Sequence, residues 1–210
     1  MGINFKAIND ATATSLVPSF IKLYEQIQQI PDDEYKLGYV QKFDRIGYMV
    51  FPRFLKEHNY NDILEFKERI PQLASVVRLL HTEPYLQLPE FDGAYFKRFG
   101  VHKDCGKKFK PSTSINWPLI NCNSSSVTSW YKLESGEPHE TDVYIDADHC
   151  EVTQIESTSL IDGEPVLFRV DEWHAIDNYT PDKRVIAGWH FDEKYSWDDA
   201  CEIMTNLGVI

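Results

Sequence analysis

The hydrophobic pattern changes period near residue 90, and that change limits what this chain can fold into. Beyond it, short β-branched and aromatic runs alternate with turns, and all five tryptophans fall in this part. The runs are Ala94–Phe99, Thr113–Leu119, Val127–Leu133, Val143–Ile145, Cys150–Thr158, Val166–Val170, Trp173–Ile176 and Arg184–Phe191. Short strands at such regular spacing predict a sandwich or barrel. Asn121-Cys-Asn-Ser-Ser-Ser126 is a polar turn suited to joining the second and third of them. Before residue 90 the pattern is mostly helical. Leu16, Phe20, Leu23, Tyr24 and Ile27 recur at three- and four-residue intervals. Asn61 reads as the cap of a helix with acids early and bases late, and Pro71 as the opening of another from Gln72 to Leu80. Tyr39–Phe51 is mixed, with room for a strand. Ser196 to Gly208 reads as a capped closing helix. The expectation is a mainly β, α+β chain forming one domain over residues 1–210. It has a helical region to residue 90, a β core over 92–191 and a helix at 196–207.

Within that β region stands His102-Lys103-Asp104, with His174 further on and Arg184 ten residues after it. A His, a carboxylate and a second His can hold one face of an Fe(II) ion and leave the other open for a co-substrate and O2. Arg184 adds a permanently charged planar fork, which suits the far carboxylate of a dicarboxylic co-substrate such as 2-oxoglutarate. The His-x-carboxylate spacing alone is weak, because seven histidines and 33 acidic residues produce about one match by chance. The chain has four: His81/Glu83, His102/Asp104, His149/Glu151 and His190/Asp192. His81 and Glu83 close the segment read as helix, where i and i+2 diverge. His149/Glu151 lies too near His174, and no histidine follows His190. On a strand, i and i+2 share a face, so His102/Asp104 survives. His190, beside Trp189, reads as a satisfied core or rim histidine.

Composition narrows the function classes. A net charge of -12 disfavours nucleic acid as a partner. Lys97, Arg98, Lys103, Lys107, Lys108 and Lys110 gather around the His102/Asp104 pair, either as a solvated basic loop or as a rim that draws an anionic substrate inward. No apolar stretch approaches the roughly 20 residues of a membrane span, and the N-terminus lacks the apolar centre of a secretory signal. A cytoplasmic protein is expected. Cys105, Cys122, Cys150 and Cys201 show no framework spacing and read as free thiols. Asp142, Asp146, Asp148 and His149 lack the order of a calcium loop. Trp117, Trp130, Trp173 and Trp189 read as core packing.

Residues 92–191 resemble the double-stranded β-helix (jelly-roll, cupin-like) core of the 2-oxoglutarate/Fe(II)-dependent oxygenase superfamily, in the compact form common in phage and bacterial genomes. The resemblance rests on Gly100-Val-His-Lys-Asp104, Ser114-Ile-Asn-Trp-Pro-Leu-Ile-Asn-Cys122, Thr128-Ser-Trp-Tyr131 and His174-Ala-Ile-Asp-Asn178 leading to Lys183-Arg-Val-Ile-Ala187. It implies His102, Asp104 and His174 as metal ligands and Arg184 as the group that binds the distal carboxylate. Many members carry Ser or Thr two residues after this Arg, where this chain has Ile186. Tyr131 is the hydroxyl proposed to complete that site, and Asn116 a further hydrogen-bonding residue for the co-substrate. The implied reaction is hydroxylation of a small-molecule or peptide substrate, with release of succinate and CO2. Two other readings fit the residues alone: a cupin-like metal enzyme with no use for Arg184, and a non-catalytic β-barrel interaction protein.

Overall fold

The structure is a computed structural model that describes residues 4–33, 36–41, 45–82, 97–147, 149–178 and 182–210. Thirteen strands and five helices form three layers among these residues. The strands are β1 (Phe5–Ala7), β2 (Lys36–Gln41), β3 (Arg45–Val50), β4 (Val77–Thr82), β5 (Lys97–Lys103), β6 (Thr113–Ile120), β7 (Ser126–Ser135), β8 (His139–Glu140), β9 (Ile145–Asp146), β10 (Glu151–Ser159), β11 (Val166–Arg169), β12 (His174–Asn178) and β13 (Arg184–His190). The helices are α1 (Ala11–Ser15), α2 (Val17–Ile27), α3 (Pro52–Glu57), α4 (Asn61–Arg69) and α5 (Trp197–Asn206).

A seven-stranded sheet runs β1-β11-β6-β13-β4-β3-β2, and a six-stranded sheet runs β10-β7-β12-β5-β9-β8. Every pairing is antiparallel. The left-handed Asn121, φ 56°, sits in the turn that carries the chain from β6 in the first sheet to β7 in the second. This is the double-stranded β-helix, two facing sheets with successive strands crossing between them.

Strand periodicity explains the layering. In β6, Ile115, Trp117 and Leu119 point to the helices and join Phe20, Leu23 and Phe66 in the main core, while Ser114 and Asn116 point into the space between the sheets. In β13, Val185, Ala187 and Trp189 face the helical core, so Arg184, Ile186, Gly188 and His190 face inward. Trp117 and Trp189 hydrogen-bond the carbonyls of Ala13 and Ala74 through their indole N–H groups, satisfying the only polar atom each ring buries. Burial of Phe20, Leu23, Tyr24 and Ile27 along one face of α2 matches the spacing read from the sequence.

The N-terminal region differs from the expectation. It holds α1 to α4, yet it also supplies β1 to β4 of the seven-stranded sheet. The segment read as a helix over Gln72–Leu80 ends instead in β4, paired with β13 on one side and β3 on the other. A central strand packed on both faces loses its alternation of apolar and polar residues, so Val77, Leu79 and Leu80 mimic helical spacing. His81 is therefore on a strand, buried, with its Nδ1 2.7 Å from the Tyr24 hydroxyl, and Glu83 lies outside the described residues. The mixed run at 39–51 resolves into the hairpin β2–β3. The strand expected at Ala94–Phe99 falls partly outside the described residues, and β5 continues through His102. Tyr60, not Asn61, stands at the cap position of α4. No helix among the described residues is long and apolar enough to cross a membrane, and all four cysteines are free.

The closing helix α5 forms where expected. Ser196 accepts from the Asp199 N–H, and Asp199 returns a bond from the Ser196 N–H, a capping box that holds Trp197, Ala200 and Met204 against the core. Ser196→Ala is expected to lower the unfolding free energy by about 1 kcal/mol, read as a fall in the thermal or denaturant midpoint.

Candidate metal centre

Strands β5 and β12 are hydrogen-bonded neighbours, and His102 pairs directly with His174 across them. Both imidazoles therefore emerge on the inner face, with ring centroids 4.4 Å apart. Asp104 is the first residue past β5, where its N–H donates to the Val170 carbonyl at 2.9 Å and turns the carboxylate back toward the pair. His102 Nε2 stands 3.4 Å from Asp104 Oδ1, and one ligand atom from each of the three residues lies within 4.8 Å of the others. Both histidines are buried.

Backbone carbonyls orient the two rings. His102 Nδ1 donates to the Gly100 carbonyl at 2.7 Å, and His174 Nδ1 to the Glu172 carbonyl at 2.9 Å. A carbonyl can only accept, so each neutral ring carries its proton on Nδ1 and its lone pair on Nε2, the tautomer a metal ligand requires. Burial alone would raise the Asp104 carboxyl. A proton on His102 Nε2 would donate to it, and that bond, with the positive charge of protonated His102 and His174 and of Arg78, outweighs burial and holds it well below the usual carboxylate range; a metal ion would take the place of those protons. Asp104 stays ionised. Two imidazole nitrogens and one carboxylate oxygen on one face form a donor set suited to a divalent transition metal, with its other positions open.

The triad lines one pocket with Arg184, Asn116, Arg78, Ser114 and Thr128. Rows of paired residues across the inner face of the seven-stranded sheet set its character. Leu80 and Ile186 share a row, Arg78, Gly188 and Asn116 the next, and His190, Ser114 and Phe168 the one after. Phe168 meets His174 edge-on at 5.7 Å, which places the triad opposite that last row. Arg184 stands at the other end, at the start of β13, only 4% exposed, with no hydrogen-bond partner for its Nε or Nη2 among the described residues. Thr128 Oγ1 and Ser126 Oγ, both on β7, are also buried without partners among the described residues. Asn116 Oδ1 accepts from Ser114 Oγ at 3.0 Å, which leaves the donor half of its amide to face the pocket.

Tyr131 is not brought to this pocket. It lies three residues from Thr128 on β7, so alternation places it on the outer face of the six-stranded sheet with Val101, Trp173 and Ala175. His190 differs from its expectation in another way. It is buried, yet among the described residues neither ring nitrogen has a hydrogen-bond partner. Burial first, and then the Arg78 guanidinium, push its pKa well below the usual histidine value, so it is neutral. Arg78 and Thr128 escaped the sequence reading. The one available signal for Arg78 was a single charge inside the apolar run Val77–Leu80.

No described side chain of the basic segment lines the pocket. Lys107, Lys108 and Lys110 are exposed, with Lys108 paired to Asp142 at 2.8 Å. Lys103 lies over the Trp173 ring at 5.0 Å and 3.9 Å from Glu172. The side chains of Lys97 and Arg98 lie outside the described residues.

No protein-family model matches this sequence, and comparison with curated proteins finds no match. Solved structures do share its fold. The non-heme α-ketoglutarate-dependent carbocyclase SnoK from nogalamycin biosynthesis superposes with a TM-score of 0.53 at 11% identity, over 90% of this chain and 79% of that one. The epimerase SnoN, solved with Fe3+, α-ketoglutarate and a nogalamycin ligand, gives 0.53 at 10% identity over the same shares. The chain has the double-stranded β-helix fold of the non-heme α-ketoglutarate-dependent enzymes.

Proposed function

We propose that this chain is a 2-oxoglutarate- and Fe(II)-dependent oxygenase that hydroxylates its substrate and releases succinate and CO2. His102, Asp104 and His174 hold the iron, and Arg184 binds the distal carboxylate of 2-oxoglutarate. The observation that carries this reading is the Arg184 guanidinium, buried with two unpartnered nitrogens in the same pocket as the triad. A buried cation without acceptors is costly, and a bidentate carboxylate relieves that cost. A cupin-like enzyme without an oxo-acid leaves this residue unexplained. Such a centre, with O2 and the oxo-acid bound, supplies oxidation of a substrate C–H bond coupled to decarboxylation of the oxo-acid.

The chain's own residues bind and orient. Arg184 sets the position of the far carboxylate, and Thr128 donates its hydroxyl to the same group, the role Tyr131 cannot fill from the outer face. Leu80 and Ile186 flank the methylene segment and exclude water. Asn116 offers its amide donor near the metal. The substrate is a small molecule or a peptide side chain.

The test is an anaerobic titration of metal-free protein with Fe(II) and then 2-oxoglutarate, following the visible charge-transfer band of the chelate. A band in the wild type supports the reading, and iron binding without a band overturns it. Thr128→Val, which keeps the shape and removes the hydroxyl, is expected to weaken 2-oxoglutarate binding about tenfold and leave iron affinity unchanged. Tyr131→Phe is expected to alter neither.

A further inference from the structure

The pocket contains a second guanidinium that the proposed chemistry does not use. Arg78 emerges from β4, paired with Gly188, and Gly188 pairs in turn with Asn116 on β6. Four residues of β13 separate Gly188 from Arg184, about 13 Å at roughly 3.3 Å per residue. Arg78 thus belongs to the metal's end of the pocket and Arg184 to the opposite end. Its Nη2 is 3.8 Å from Asp104 Oδ2, too long for a hydrogen bond, and its Nε is buried without a partner among the described residues. The missing side chain at Gly188 keeps the space between Arg78 and Asn116 open, since a Cβ there would come within 3.3 Å of Asn116 Oδ1.

Charge sharpens the point. Among the described residues, the charged ones lining the pocket are Arg78, Arg184 and Asp104. If a divalent metal and a doubly charged oxo-acid are added, the pocket carries one positive charge in excess. Asp104 is then committed to the metal, the far carboxylate to Arg184, and the near carboxylate to the metal. Arg78 is the cation left over. A half-enclosed guanidinium beside a metal cation is unfavourable in a low-dielectric site unless an anion joins it. Ser114 and the neutral His190 occupy the next row, so that end of the pocket is polar without further charge among the described residues.

We propose that Arg78 receives a carboxylate of the substrate to be oxidised, so that the substrate is an organic acid held by its acid group at the metal's end of the pocket. This rests on the oxygenase reading above. It makes the pocket a site for two acids, the co-substrate anchored at Arg184 and the substrate at Arg78.

The test uses NMR of the arginine Nε–H groups in the full chain loaded with diamagnetic Zn(II), with the signals assigned through Arg78→Lys and Arg184→Lys. Addition of 2-oxoglutarate is expected to move the Arg184 signal and leave that of Arg78 nearly in place. Acetate, the carboxylate probe, is then expected to move the Arg78 signal saturably in roughly the millimolar range, while uncharged acetamide does not. Arg78→Gln is expected to weaken acetate binding at least tenfold by calorimetry without changing Zn(II) affinity. An Arg78 signal that moves fully on 2-oxoglutarate, or never responds to acetate, overturns the proposal. So does loss of Zn(II) affinity in Arg78→Gln with acetate binding intact, because Arg78 then serves only to position Asp104. Failure of the Arg184 signal to respond to 2-oxoglutarate counts instead against the oxygenase reading.

Discussion

Asp104→Ala is expected to weaken Fe(II) binding by more than about 100-fold and to abolish the charge-transfer band. The size of the effect follows from what the carboxylate contributes. It is the only anionic donor in the set, and two neutral imidazoles alone neither balance the charge of the ion nor complete one face of it. Asp104 is also the ligand that the fold does least to replace. His102 and His174 are locked by their Nδ1 bonds to backbone carbonyls, so they remain in place when Asp104 is removed. The loss is therefore confined to the metal. Circular dichroism of the metal-free variant is expected to match that of wild type, and iron binding is measured by anaerobic titration. Retention of tight iron binding by the folded variant would remove Asp104 from the site. One pH effect accompanies this. The Asp104 carboxyl is held below its usual range in the metal-free fold, so its contribution to stability is present above the ordinary carboxylate pKa of about 3.9 and is lost only as pH falls through the depressed value. The alanine variant lacks that acid-labile contribution.

Much of this site was legible because strand alternation is a local rule. Once Arg184–His190 reads as a strand, residues 184, 186, 188 and 190 share a face, and the same rule sends His102 inward from β5. The chemical identity of the ligands was equally local. What escaped depends on pairings between distant segments. Whether Val77–Thr82 is a helix or a strand is decided by β3 and β13 on either side of it, and neither is visible from those six residues. Arg78 was lost with that strand. The sequence offers Tyr131 as a hydroxyl to make up for Ile186, but the inner face of β7 begins at Ser126, which selects Thr128 by parity. The orphaned nitrogens of His190 come from three-dimensional enclosure beside Phe109 and Arg78, for which a linear sequence has no signature.

Arg184→Met is expected to separate stability from function in opposite directions. In the ligand-free protein the guanidinium is almost fully enclosed, and two of its nitrogens donate to no described residue. Methionine is of similar length, carries no charge and leaves no donor unsatisfied. The substitution is therefore expected to raise the stability of the ligand-free fold by about 1–3 kcal/mol. Co-substrate binding moves the other way. Removing one partner of a buried, hydrogen-bonded charge pair costs about 2–5 kcal/mol, so the 2-oxoglutarate dissociation constant is expected to rise by about 30-fold to 5,000-fold. Iron affinity is expected to hold, because Arg184 sits at the far end of the pocket from the triad. Thermal unfolding with and without 2-oxoglutarate reads both effects at once. Wild type is expected to start lower and be raised by the ligand, and Arg184→Met to start higher and not respond. A variant that is less stable than wild type yet still stabilised by 2-oxoglutarate would mean that Arg184 is a structural residue whose unpartnered nitrogens are satisfied within the fold, and the carboxylate site would have to be sought elsewhere in the pocket.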